Sequence, residues 1–74
     1  MRKRSVSIRG HRTSISVEEI FWTELQRMAA GRGVSAAALI AEIDAGRTPD
    51  VNLSSAIRVA VLENALRGSV RAAG

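Results

Sequence analysis

The chain has no cysteine and no tyrosine, and only one histidine, one proline, one tryptophan and one phenylalanine in 74 residues. Without cysteine there is no disulfide and no thiolate metal site. A lone histidine, His11, excludes a histidine metal cluster within one chain, and beside Gly10 it reads as a solvated turn residue. Phosphate-loop glycines are missing too: Gly31-Arg32-Gly33 follows an expected helix, not a strand, and matches neither phosphate-loop pattern. Ser54-Ser55 has no base in evidence and reads as a helix start. Glu42 and Asp44, two apart on a helix, point to different faces and read as solvated surface. No enzyme and no cofactor are expected. Long apolar runs are also lacking. No hydrophobic segment of a signal peptide follows the basic N-terminus, and nothing approaches the roughly 20 apolar residues of a membrane span. The expected location is the cytoplasm, with no membrane partner.

What is present is aliphatic and basic. A domain this short buries a modest share of its unfolded surface. Small chains without staples often complete their core by oligomerising, so a homodimer is expected. The net charge is +4, and it is uneven. Arg2, Lys3, Arg4, Arg9 and Arg12 put five positive charges and no acid into the first twelve residues; the remainder has six arginines against seven acids. A basic N-terminal segment of this kind commonly meets a polyanion. Residues 1–4 are expected to be a flexible basic arm, residues 5–66 the folded domain, and residues 67–74 a flexible tail.

Residues 12–17 alternate strictly. Thr13, Ile15 and Val17 fall on one side of a strand; Arg12, Ser14 and Ser16 fall on the other. Ser5 to Arg9 alternate as well, with Val6 and Ile8 on the apolar side. Gly10-His11 between them suits a type II′ hairpin turn with Gly10 first. Ile8 would then face Thr13 and Val6 would face Ile15, but Arg9 would sit opposite Arg12, a like-charge pair. The alternative is that only the second strand is ordered and pairs with its copy in another chain. No internal repeat is apparent.

Ser16-Val17-Glu18-Glu19 reads as a capping box opening a helix that runs to about Ala30. Its apolar stripe is Val17, Phe21, Leu25 and Met28, widened by Ile20 and Trp22. Gly31-Arg32-Gly33 stops it. Ser35 caps a second helix with the stripe Ala36, Leu39, Ile40 and Ile43, ending at Gly46. Asn52 or Ser54 caps a third, to about Leu66. That helix has two apolar stripes: Leu53, Ile57, Ala60 and Val61 on one, Val59, Leu62 and Leu66 on the other. A short helix apolar on two faces needs covering on both.

A two-stranded ribbon can fill the DNA major groove, where arginine bonds guanine and serine bonds several bases. The strand Arg12-Thr13-Ser14-Ile15-Ser16-Val17-Glu18, a helix carrying Phe21-Trp22 and Leu25, and Gly33-Val34-Ser35 opening a second helix resemble the ribbon-helix-helix DNA-binding proteins of the MetJ/Arc type. Gly10 to Ser14, Ala41 to Asp44 and Asn52 to Arg58 further resemble a small bacterial subgroup of them. The resemblance covers about residues 5–66 and implies a mostly α fold with a short N-terminal β-ribbon, an intertwined homodimer and an added third helix. It implies base contacts from Arg12, Ser14 and Ser16, with Ser16 the weakest because its hydroxyl is expected to cap the helix. Phosphate contacts would come from Val34 and Ser35, joined by the basic residues Arg2, Lys3, Arg4 and Arg9. The dimer core would be Ile15, Val17, Phe21, Leu25, Leu39, Ile40, Ile43, Ile57 and Val61. The implied role is sequence-specific double-stranded DNA binding and transcriptional repression. The alternative is a protein-interaction module, an antitoxin or adaptor, that recruits a second protein through the third helix.

Overall fold

The computed structural model describes the backbone of residues 2–73 and the side chains of residues 2–68. Two strands, β1 (Arg2–Ile8) and β2 (His11–Val17), lead into three helices: α1 (Glu19–Arg32), α2 (Ala36–Gly46) and α3 (Leu53–Ala73). The chain is therefore mostly α, with an N-terminal β-ribbon and a third helix beyond a strand-helix-helix unit. β1 takes in Arg2, Lys3 and Arg4, which were expected to be a mobile arm. α3 continues past Leu66 through most of the expected tail.

The ribbon is a hairpin made within one chain. β1 and β2 are antiparallel and pair Lys3 with Ser16, Arg4 with Ile15, Ser5 with Ser14, Val6 with Thr13, Ser7 with Arg12 and Ile8 with His11. The turn is Arg9-Gly10, not Gly10-His11. Both residues have positive φ, 50° and 77°, the conformation of a type I′ turn, whose twist matches the flanking strands. The observed register differs from the expected one by two residues, so each side chain keeps its face. The change removes the Arg9–Arg12 opposition: Arg12 now faces Ser7, and Arg9 turns to Asp44 on α2, with Nη2 3.0 Å from Oδ2.

Gly10 tests this turn. A Cβ built there meets nothing within 4 Å, but φ is +77°. Gly10→Ala is therefore expected to cost backbone strain alone, about 1–2 kcal/mol. Denaturant unfolding measures this. At the helical Gly31, where a Cβ also meets nothing within 4 Å, alanine is expected to act in the opposite sense, stabilising by about 1 kcal/mol.

One face of the hairpin lies over the helices. Ile8, Ile15 and Val17 join Leu25 and Ala29 of α1, Leu39 and Ile40 of α2, and Leu53, Ile57 and Val61 of α3 in a single core. Phe21, Trp22, Met28 and Ile43 pack against it, partly buried. Seven of the nine side chains expected in a dimer core are thus buried inside one chain: Ile15, Val17, Leu25, Leu39, Ile40, Ile57 and Val61. The physical reason is that β1 supplies the second strand in cis and α3 covers α1 and α2. Ile20, expected to widen the first helix's stripe, is 71% exposed.

The helix ends follow local chemistry with one exception. Gly33 (φ 71°) terminates α1, its amide reaching back to the carbonyls of Ala29 and Ala30. Ser35 caps α2, its Oγ accepting from the Ala38 amide at 3.0 Å. The Asn52 Oδ1 accepts from the Ser55 amide at 2.8 Å and caps α3. The exception is the capping box at Ser16. The N-cap of α1 is Glu18, which makes no side-chain cap bond, while Ser16 stays in β2. Glu19 is drawn off by Arg4, 2.6 Å away.

Candidate nucleic-acid interface

Alternation sorts the hairpin into two faces. Arg2, Arg4, Val6, Ile8, His11, Thr13, Ile15 and Val17 share the side toward the helices; Lys3, Ser5, Ser7, Arg12, Ser14 and Ser16 share the outer one. On the outer face five of these six are exposed, and Ser16 is half-buried. This face holds two cations, four hydroxyls and no acid; the first acid in the chain is Glu18. The three expected base-reading residues, Arg12, Ser14 and Ser16, lie together on it. Among the described residues neither Arg12 nor Lys3 has an ion-pair partner.

Three anchors hold the ribbon. At the turn, Arg9 bonds both Asp44 and the Ala41 carbonyl, the latter at 3.3 Å. Asp44 also accepts from Arg47 Nε at 2.7 Å, so it joins the turn to the loop before α3 and is not the solvated surface acid expected. At the open end, Arg4 lies on the helix-facing side with its guanidinium 4.5 Å from the Trp22 ring centre. Its side chain is 18% exposed and paired with Glu19, which takes it away from the outer face and from the phosphate role expected of it. Along the edge of β2, the Ser16 amide donates to Ser54 Oγ at 3.0 Å, and Arg58 Nη2 donates to the Ser16 carbonyl at 3.3 Å. Arg58 Nε also donates to Glu18 Oε1 at 2.8 Å.

The remaining expected phosphate contacts are dispersed. Arg2 and Lys3 are exposed near the open end, on opposite faces. Arg9 sits at the turn, tied to α2. Val34 is 36% exposed, and Ser35 caps α2 at the end away from Asp44. Nine residue steps along α2, roughly 14 Å of rise, separate Ser35 from the Asp44 that meets the turn.

Sequence reasoning missed Ser5 and Ser7, and it placed Lys3 in an arm. The signal was there. Lys3-Arg4-Ser5-Val6-Ser7-Ile8 recurs nine residues later as Arg12-Thr13-Ser14-Ile15-Ser16-Val17, so an internal repeat does exist. It is veiled by the exchange of Lys3 for Arg12, by the Val–Ile exchanges at Val6/Ile15 and Ile8/Val17, and by Arg4 standing where the second copy has Thr13.

The hydrogen bond from Arg58 holds the Glu18 carboxyl below its ordinary value of 4.5, aided by the Glu18 amide. A carboxylate whose folded pKa is depressed contributes stability above its unfolded pKa, and loses it as pH falls through the folded value. Asp50 is lowered in the same direction, chiefly by a hydrogen bond from Thr48. Glu18→Gln is therefore expected to flatten the loss of stability below about pH 4.5 without abolishing it. Thermal melts across that range test this, and an unchanged acid limb would contradict it.

Among the described residues no cluster of His, Asp or Glu could hold a metal ion, and no helix is long and apolar enough to cross a membrane. No curated protein and no solved structure matches the chain. The sequence model of the ribbon-helix-helix domain matches residues 1–65. With that match and the ribbon-and-helices architecture together, the chain belongs to the ribbon-helix-helix family, a regulatory and non-enzymatic fold whose members generally dimerise and bind DNA.

Proposed function

We propose that this protein binds double-stranded DNA sequence-specifically by inserting its β-hairpin into the major groove, and that it acts as a homodimeric transcriptional repressor on the nucleoid. The observation that carries this reading is the outer face of the hairpin: Lys3, Ser5, Ser7, Arg12, Ser14 and Ser16 with no acid among them. A two-stranded ribbon fits a major groove about 12 Å wide. Cations there neutralise phosphate or reach guanine O6 and N7, and hydroxyls donate or accept as the base edge requires. Val34 and Ser35 at the start of α2, with Arg2 and Arg9, are proposed as phosphate contacts beside the ribbon. The homodimer is supported by the stripe Val59, Leu62 and Leu66 on α3, each more than half exposed. An apolar helix face of this kind favours a partner helix.

The test is a mobility-shift titration of random-sequence and selected duplexes. Binding is expected at low salt. Each phosphate neutralised is expected to add about −0.9 to the slope of log affinity against log salt. No shift at low salt would overturn the DNA reading. In its place would stand the protein-interaction module, an antitoxin or adaptor, which the same exposed stripe on α3 favours.

A further inference from the structure

The hairpin carries an approximate two-fold symmetry. Advancing by nine residues carries Lys3 onto Arg12, Ser5 onto Ser14 and Ser7 onto Ser16. The register turns this sequence repeat into a spatial one. Ser5 pairs with Ser14 at the centre, while the Lys3–Ser16 and Ser7–Arg12 pairs flank it. A two-fold axis normal to the ribbon, through the central serine pair, exchanges the two flanking pairs. It also exchanges the cations, which occupy diagonal corners of the outer face.

We propose that one chain therefore reads a quasi-palindromic site by itself, with Lys3 of β1 as the second base reader alongside Arg12 of β2. This inference rests on the DNA-binding reading above. The dyad of a ribbon lying in the major groove coincides with a local dyad of the duplex, which places Lys3 and Arg12 over opposite DNA strands. Both residue types bond guanine O6 and N7. Along the ribbon the two cations stand four residues of rise apart, about 14 Å, or about four base-pair steps of 3.4 Å. Between them Ser5 and Ser14 present hydroxyls that donate or accept, so the central step discriminates little. The expected recognition element is two guanines on opposite strands, about four steps apart, with a degenerate centre. A homodimer would carry two such readers.

Selection of duplexes from a random pool, run with the full chain and with Lys3→Ala and Arg12→Ala, decides this. Both side chains are exposed and without ion-pair partners among the described residues, so both variants are expected to melt as the parent does. Lys3→Ala should remove the preference at one guanine, by about tenfold, and Arg12→Ala the preference at the other. Lys3→Arg should restore the first. If Arg12→Ala erases both guanines and Lys3→Ala neither, two copies of β2 do the reading and the proposal fails. It also fails if Lys3→Ala weakens every sequence alike, since Lys3 would then hold only phosphate. A parent chain that enriches no sequence overturns the DNA-binding reading itself and this inference with it, a result distinct from either of the others.

Discussion

Arg12→Ala is expected to abolish discrimination at one base position while leaving the fold intact. Arg12 is exposed, lies on the outer face opposite Ser7, and has no ion-pair partner among the described residues. Its truncation creates no cavity and orphans no buried group, so stability should change by no more than about 0.5 kcal/mol. A good bidentate contact to guanine is worth about 1–3 kcal/mol of discrimination, or about 5- to 150-fold in the ratio of matched to mismatched affinity. The serines cannot make up the difference. Each offers one hydroxyl, and Ser16 is half-buried where α3 grips its backbone. Competition titrations with matched and single-mismatch duplexes measure the ratio. A variant that keeps its preference would show that Arg12 meets phosphate or solvent. Arg2→Ala offers the contrast: Arg2 lies off the outer face, and its loss should weaken all duplexes alike and make the salt slope shallower.

What could be read from the sequence was whatever local chemistry decides. The order of elements followed from a change of period, from two in residues 12–17 to that of a helix afterwards. Ser35 was legible as a cap because its partner, Ala38, is three residues away. The outer face of β2 was legible because alternation assigns faces in any register. The capping box at Ser16 shows the limit. Its local pattern was complete, yet Arg4, Ser54 and Arg58, between 15 and 42 residues from their partners, compete for the same groups and win. The hairpin register was hidden for a related reason. A shift of two residues preserves both faces, so hydrophobicity cannot choose. The choice rests on a left-handed Arg9 that a single sequence does not advertise and on its contact with Asp44, 35 residues on. Part of the candidate site lay beyond reach for the same cause: with residues 1–4 read as an arm, Lys3 had no strand to belong to, and without the register Ser5 and Ser7 could not be set beside Ser14 and Arg12.

The core tells how much of the molecule depends on a second copy. Ile40 is fully buried, on the helix that packs against α1, α3 and β1. Ile40→Ala removes buried methyl groups and leaves a cavity, a change that costs about 2–5 kcal/mol. A chain of 74 residues is expected to have only about 4–11 kcal/mol in total. The melting midpoint should fall on the order of 10–30 °C, and duplex binding should fail wherever the variant unfolds. A loss below about 1 kcal/mol would mean that the interior around α2 is loosely packed. Leu62, 55% exposed on α3, should behave oppositely. With no core contact to lose within one chain, Leu62→Asp should leave the melt of dilute protein within about 0.5 kcal/mol. If the α3 stripe joins two copies, the same change should convert the sedimenting species from dimer to monomer, because an acid buried at an apolar interface has no compensating partner. The pair of variants thus separates two roles that one apolar composition conceals. Ile40 holds the single chain together. The exposed Val59, Leu62 and Leu66 stripe is, in the proposed homodimer, the face that would bring a second chain, and with it a second ribbon, onto the same duplex.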